Sequence, residues 1–387
     1  MTAAREPHIL KGQHRARGFP ERPPDREVVG VVNYWISVLF RAIPMAMAAV
    51  CVGLGAYVWN AGDQPGNLVA GRVVTFLAAI CICLFCTAAT IIRQLIGRFN
   101  AVDRVLYPVL GYASAAVAAG YGISVFSGAS SQGADPDYVS GHVVLGLGLI
   151  SACVATVATA STKFSLIPAN SARAAGGAPP DGAFPSAAAA VLCAVPVVLA
   201  LIAWGLSIVN LTQTVTPSRF TVGHVLAGIA MVCTSLIGLV VSIVRQIQNT
   251  YGARDRTGWP WLVIAMGSLS SVWGIVLLVL DREPYYRTPG FVMIGLGLVC
   301  FSILSKVGLL ALVWRRTFAL ANRVPLIPVV TALSCLFLAA FVFQAAVTDS
   351  NVFVAARVLT GLGAICFTLY SIVSILESGT SGSSSSD

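Results

Sequence analysis

Long apolar segments separated by short polar loops run through almost the whole chain. A helix needs about 20 apolar residues to cross a hydrocarbon core of about 30 Å, and ten segments meet that requirement. The pattern therefore predicts an all-α fold, a polytopic transmembrane helical bundle of about ten spans. The predicted spans cover residues 38–59, 68–96, 105–127, 140–162, 186–209, 220–247, 259–281, 289–314, 325–347 and 352–376.

The two ends of the chain lack such segments. Residues 1–27 are polar and basic, and residues 378–387 are rich in serine. Neither end can bury enough apolar surface to fold alone. We therefore expect a flexible basic cytoplasmic tail over 1–27, a transmembrane domain over 28–377 and a disordered tail over 378–387.

The even-numbered spans resemble one another. They align without gaps when started at Gly71, Gly141, Gly223, Gly290 and Ala356. Four of the five then carry glycine five places on, all carry glycine or alanine seven places on, and all carry cysteine or serine ten places on. The odd spans match more loosely. Five parallel helical hairpins are predicted, over about 38–96, 105–162, 186–247, 259–314 and 325–376.

The small residues that recur at the same positions of the even spans have a role in helix packing. Apolar side chains gain little by leaving lipid for another helix, so helices in a membrane associate through close backbone approach and packing. We expect the small residues five, seven and ten places on to form a seam against the other helix of the same hairpin.

Composition supports the membrane class. Hydrophobic residues make up 57% of the 387 residues and charged residues only 10%, and the mean hydropathy is +0.84. Soluble domains carry about 25% charged residues. The net charge of +9 lies mostly in loops, where it can contact lipid head groups. We expect membrane lipids as partners and no nucleic acid.

The basic residues also predict the orientation. The N-terminal tail and the loops after spans 2, 4, 6 and 8 hold 17 of the 24 Lys and Arg residues, whereas the alternate loops hold three. Cytoplasmic loops are enriched in Lys and Arg. Both termini are therefore predicted to be cytoplasmic. The excess of 21 Arg over 3 Lys is typical of a GC-rich bacterial genome, which indicates a bacterial cytoplasmic membrane.

One repeat position carries candidate ligand-binding residues. The residue after each repeat start is Arg72, His142, His224, Phe291 or Arg357. If the even spans surround one vestibule, the four polar side chains form a partial ring that could hold a small anion or a lipid phosphate. Alternatively, each side chain extends separately towards the head groups or caps a neighbouring helix.

Two weaker patterns suggest bound cofactors. His142 and His224 could ligate a b-type haem between spans 4 and 6, although no second histidine pair exists within the spans. Cys81, Cys83 and Cys86 resemble a soft-metal cluster, but buried cysteines in spans usually act as small apolar residues. We expect neither a cofactor nor a metal.

Lys306 is the one lysine well inside a span. A charge within the membrane is a candidate functional residue by default, unless its stem carries it to the interface. The sequence contains no convincing motif for a nucleophile, a metalloprotease, a phosphate loop or a dinucleotide site. We therefore predict no catalytic residues and no enzyme activity.

Span 3 carries small residues on every face. Such a helix suits close neighbours on several sides better than lipid. The sequence therefore predicts a homo-oligomer or a central location for span 3. The small residues are Ala113, Ala115, Ala116, Ala118, Ala119, Gly120 and Gly122.

The glycine seam of the even spans, seen at Gly141–Gly148 and Gly290–Gly297, resembles that of ten-span bacterial membrane families classified as domains of unknown function. The resemblance covers most of the chain and implies no residue roles. We expect a transporter or permeation-type protein, or a lipid-binding accessory, for a small anionic or amphipathic ligand. A structural or scaffolding membrane protein is the alternative, and a b-type haem protein a minor one.

The predicted orientation can be tested by labelling. A cysteine introduced at Asp135 or Asp349 should react with an impermeant reagent added to intact cells, because both residues lie in loops that carry few basic residues. Reaction only after lysis would reverse the orientation.

Overall fold

The computed structural model describes residues 26–381 except 63, 96–97, 132, 134, 164–184, 214–215, 249, 316–323, 325 and 347–351. The described part contains ten helices long and apolar enough to cross a membrane, which confirms the predicted class and number of spans. Both predicted tails lie mostly outside the described residues. The helices are α1 Arg26–Trp59, α2 Pro65–Leu95, α3 Ala101–Ser127, α4 Pro136–Ser161, α5 Ser186–Thr212, α6 Pro217–Ile247, α7 Ala253–Leu280, α8 Arg287–Arg315, α9 Leu326–Ala346 and α10 Phe353–Ser381.

Several helices begin earlier than the apolar pattern predicts, because their first turns are polar but capped. The Asp135 side chain accepts a hydrogen bond from the amide of Asp137 at 2.8 Å, and Pro136 occupies the first helical position. Thr216 and Pro217 start α6 in the same way. A side-chain cap followed by proline is a favourable helix start. The early starts therefore follow from local chemistry that hydropathy does not measure.

The even helices form an inner ring. Helix α2 packs against α4, α4 against α6, α6 against α8 and α8 against α10, and α10 returns to α2. The most apolar windows of these helices are 61% to 89% buried. The ring is therefore closed and encloses a shared axis.

The odd helices lie outside this ring. Each of α3, α5, α7 and α9 packs against its hairpin partner and against the even helix of the preceding hairpin. Their most apolar windows are only 22% to 33% buried. Helix α3 is one of these outer helices, so its predicted central location is wrong. Its small residues include exposed Ala113 and Gly120, and a homo-oligomer stays a prediction.

In four of the five even helices, a glycine five places after the repeat start lies against the next inner helix. A Cβ atom on Gly228 of α6 would lie 2.6 Å from Leu296 Cδ1 and 2.7 Å from Met293 Sδ of α8. Such contacts are too short for a real Cβ atom, so a side chain at Gly228 would require the ends of the Leu296 and Met293 side chains to move. The equivalent contacts join Gly146 to Ile229, Gly295 to Leu359 and Gly361 to Leu77.

The glycines seven places on face the other helix of their own hairpin. A Cβ on Gly148 would lie 2.7 Å from the Ala119 amide nitrogen, and one on Gly297 would lie 2.8 Å from the Gly267 oxygen. The predicted hairpin seam is therefore confirmed at this position. It is wrong at the fifth position, where the glycine faces the next inner helix.

Ion pairs connect successive hairpins at the face where the even helices end. Arg93 at the end of α2 contacts Asp103 at the start of α3, with 2.8 Å between Nε and Oδ2. Arg245 of α6 contacts Asp255 of α7 at 2.7 Å. Both arginines lie 22 places after their repeat starts. Asp255 also accepts hydrogen bonds from the Gly252 amide and the indole of Trp259.

At the opposite face, the loop between α7 and α8 is held by one ion pair. Arg287 Nη2 donates to Asp281 Oδ2 at 2.6 Å, and its Nε donates to Oδ1 at 2.8 Å. The Arg287 guanidinium holds the pKa of the Asp281 carboxyl below its usual value. Asp281 has a φ of 24°, and its left-handed conformation ends α7.

Leucine at Gly228 should destabilise the inner ring, because overpacking a filled interface costs roughly 1–3 kcal/mol. We expect the thermal unfolding midpoint of detergent-solubilised Gly228→Leu to fall below that of the wild type. Gly120→Leu is the matched control, since nothing lies within 4 Å of a Cβ at that position. Equal midpoints for the two variants would contradict the close approach of α6 and α8.

Candidate functional site on the axis of the inner ring

A small cavity lies on the axis of the inner ring and takes side chains from all five even helices. Its volume is about 30 Å³. Its lining includes the residues nine and thirteen places after each repeat start, and we call it the axial cavity. The residues nine places on are Ile80, Ile150, Val232, Val299 and Ile365, and those thirteen places on are Leu84, Val154, Leu236, Ile303 and Leu369.

Lys306 is the one charged residue in the lining of the axial cavity. It also lines a second space of about 20 Å³, the end cavity, which lies nearer to the face where the even helices end. The residue is 3% exposed. Thr87 and Ser161 also line the end cavity. Lys306, which the sequence analysis singled out as a lysine within a span, therefore lies between two spaces on the axis.

At the other end of the axis, the first turns of the even helices surround a wider space. This vestibule has a volume of about 540 Å³. Its surface is mainly apolar but includes several polar groups, in contrast with the axial cavity. Its lining includes Gln64, Asn67, Asp135, Ser218, Thr221 and Thr288, together with the apolar residues Val69, Val139 and Val354.

A ring of valines separates the vestibule from the axial cavity. It occupies the position two places after each repeat start, and all five side chains are buried. That position lies one helical turn from the vestibule lining and two turns from the residues nine places on, on the same helix face. We call this ring the valine collar. It consists of Val73, Val143, Val225, Val292 and Val358.

The predicted cationic ring does not converge on this axis, because its arginines contact neighbouring inner helices instead. Arg72 of α2 forms an ion pair with Asp137 of α4 and donates to Ser140 Oγ at 2.9 Å. Arg357 of α10 donates to Asn67 Oδ1 of α2 at 2.8 Å. The two arginines therefore connect α2 to α4 and α10 to α2.

The two predicted histidines lie in separate aromatic pockets. His142 Nδ1 is 2.9 Å from the Tyr138 carbonyl oxygen, and its ring centroid is 4.3 Å from that of Phe126. His224 Nδ1 is 2.7 Å from the Phe220 carbonyl oxygen. Each imidazole therefore contacts its own helix and nearby aromatic rings. This arrangement does not fit two ligands of one haem, since those must face a shared iron.

None of Arg72, His142, His224 and Arg357 lines the vestibule. The loop acids that could balance their charge, Asp63 and Asp349, lie outside the described residues. The four side chains therefore share one repeat position, but each makes its own set of contacts. Anion binding by these side chains stays a prediction, and none of the four lines the vestibule, the axial cavity or the end cavity.

The cysteine cluster of α2 is divided between several helix interfaces. Cys83 Sγ lies 3.4 Å from the Gly111 oxygen and 3.3 Å from Ser114 Oγ, both on α3. Among the described residues, no three His, Cys, Asp or Glu side chains are grouped so that they could hold a metal ion. Cys83 thus packs as a small buried residue.

The sequence analysis found Lys306 but missed the stripe of residues that faces the axis. A signal was present, because the positions two, nine and thirteen places after each repeat start are aliphatic in all five even spans. Aliphatic residues also face lipid in ordinary spans, so this signal could not be separated from a lipid-facing stripe. Ring closure is what assigns it to the axis.

Comparisons with known proteins identify the family of the chain. The family described as "Protein of unknown function (DUF2776)" matches residues 32–381. The chain is 45% identical over 349 residues to "Inner membrane protein YhiM" of Escherichia coli (strain K12), covering 90% of this chain and 99% of that protein. No solved structure matches the chain. The resemblance to a membrane family of unknown function is confirmed.

Proposed function

The chain belongs to the DUF2776 family of membrane proteins, and we propose that it is a permeation-type protein. The proposed route follows the axis of the inner ring and is closed at the valine collar in this conformation. One observation carries the proposal: five helices direct corresponding positions at one axis, which contains an open vestibule, a collar and a cavity in sequence.

The dimensions of the axis support a route across the membrane. The vestibule lining begins before each repeat start, and the end cavity includes Ile91 and Ser161, each 20 places after its start. About 22 residues of helix separate these levels, which is about 33 Å at the helical rise. A hydrocarbon core is about 30 Å thick. The stripe is therefore long enough to extend from one interface to the other.

The valine collar is suited to act as a gate that opens without the movement of a charged group. Narrow apolar constrictions in channels exclude water and ions by dewetting, and a small widening or one polar group restores conduction. The axial cavity holds room for about two waters, since one water needs roughly 10–15 Å³ of such space. In this conformation the route is therefore dry and shut.

The rival function is a structural or scaffolding protein with no translocated substrate. The apolar lining of the axis favours that reading, because a filled bundle also needs apolar side chains at its centre. Lys306 and the polar vestibule argue against it. A bundle with only a structural role gains nothing from a buried ammonium group that costs several kcal/mol to desolvate.

The relative's name and the distribution of charge complete the proposal. We propose that the chain resides in the bacterial inner membrane, as the name of the Escherichia coli relative states for that protein. The vestibule then opens to the outer side, since the loops at that face hold three of the 24 basic residues. The proposed role is not enzymatic.

Serine in the collar should open the route. We expect purified Val225→Ser in planar bilayers or liposomes to conduct small inorganic ions many times faster than the wild type, because a hydroxyl lets water enter the constriction. The double variant Val225→Ser/Val358→Ser should conduct more than the single variant.

Val330→Ser is the matched control for the collar variants, because Val330 is 60% exposed on the outer helix α9. It should remain as closed as the wild type. Absence of conductance from well-folded single and double collar variants would support the structural function instead.

A further inference from the structure

Lys306 is a buried lysine on the axis of the inner ring. With the residues that the structure describes, its ammonium forms no hydrogen bond or ion pair. No carboxylate lines the axial cavity or the end cavity. Asp103 and Asp255, which lie at the face nearer Lys306, are paired with arginines. The positive charge on the axis is therefore not balanced by a carboxylate lining either space.

Lys306 does not reach the membrane surface along its own helix. The end of α8 at Arg315 is nine residues away, or about 13 Å by the helical rise. The four-carbon stem of lysine is shorter than that. The side chain instead lines two spaces inside the ring and is 3% exposed.

The hydroxyl groups near Lys306 do not present hydrogen-bond donors to the end cavity. Thr87 Oγ1 donates to the Cys83 carbonyl at 3.1 Å, and Ser161 Oγ donates to the Val157 carbonyl at 2.8 Å. Lys306 is thus the one charged residue among the side chains that line the two spaces. A ligand that accepts hydrogen bonds and carries negative charge would stabilise the protonated form of Lys306, since an uncompensated buried charge is costly.

We propose that Lys306 binds a small monovalent inorganic anion, such as a halide or nitrate, where the axial and end cavities meet. One ammonium group balances one negative charge, and the remaining lining is almost entirely apolar, which disfavours a divalent anion. The spaces of about 30 Å³ and 20 Å³ admit an ion of a few atoms and exclude organic anions. The inference that this site makes the route anion-selective rests on the proposed function.

Binding can be measured without any transport. The thermal unfolding midpoint of the detergent-solubilised protein should rise with chloride, bromide or nitrate relative to gluconate or sulfate at equal ionic strength, since a ligand of the native state stabilises it. Lys306→Met should abolish this difference between anions. Lys163→Met is the matched control, because Lys163 does not line either space, and it should retain the difference.

Selectivity is measured in the Val225→Ser background. We expect chloride to permeate better than potassium, and Lys306→Met to lower the chloride-to-potassium permeability ratio by about tenfold or more, because unit charges in contact attract strongly in a low-dielectric interior. A charge-swap variant, Lys306→Leu/Leu239→Lys, moves the ammonium to the same level on α6. This variant should restore much of the anion preference and also covers the case in which Lys306→Met fails to fold.

The outcomes of these measurements test the anion site at Lys306 and the permeation route separately. Anion-dependent stabilisation that Lys306→Met removes, with no conductance from any collar variant, keeps the site and overturns permeation. Conductance that is equal for both ions and insensitive to Lys306→Met keeps permeation and overturns the anion site. A wild-type midpoint that does not depend on the anion also overturns the site.

Discussion

Close contact between glycine and leucine on neighbouring inner helices is the interaction on which the rest of the structure depends. In lipid, apolar surface gains little by moving from acyl chains to protein, so helices must gain their association from packing and short polar contacts. At Gly228 and its counterparts the missing side chain admits a leucine, isoleucine or methionine from the next inner helix. Four such contacts, joining α4 to α6, α6 to α8, α8 to α10 and α10 to α2, hold the ring at a diameter that leaves only small spaces on its axis.

The contact between α2 and α4 departs from this pattern. Phe76 stands where the other inner helices carry glycine, and its ring stacks on Tyr121 of the outer helix α3 at 4.6 Å between centroids. Polar contacts join these two inner helices nearer the vestibule, through Arg72, Asp137 and Ser140. The ring is therefore closed by two kinds of contact, because α2 and α4 are joined by an ion pair and a hydrogen bond of Arg72, whereas Phe76 packs on the outer helix α3.

Polar contacts join the helices at both faces of the ring, whereas apolar contacts join them between the two faces. Arg72 and Arg357 connect inner helices near the vestibule, whereas Arg93 and Arg245 connect successive hairpins at the other face. Between these levels, dispersion contacts among aliphatic side chains hold the collar, and each such contact is weak and non-directional.

The sequence by itself determined the fold class, the ten spans and the presence of a lysine within one of the spans. Span length, hydropathy and spacing are local properties, and they are read directly from residues such as Gly146, Gly228 and Lys306. Only the tertiary structure decided which face of each even helix points inward. An aliphatic side chain such as that of Val225 is about equally stable in lipid and in a packed interior. The sequence pattern therefore does not separate the two environments. Ring closure from α10 to α2 is a contact between helices that begin almost 290 residues apart, and that closure places Lys306 on a shared axis while it leaves Arg72, His142, His224 and Arg357 in separate contacts.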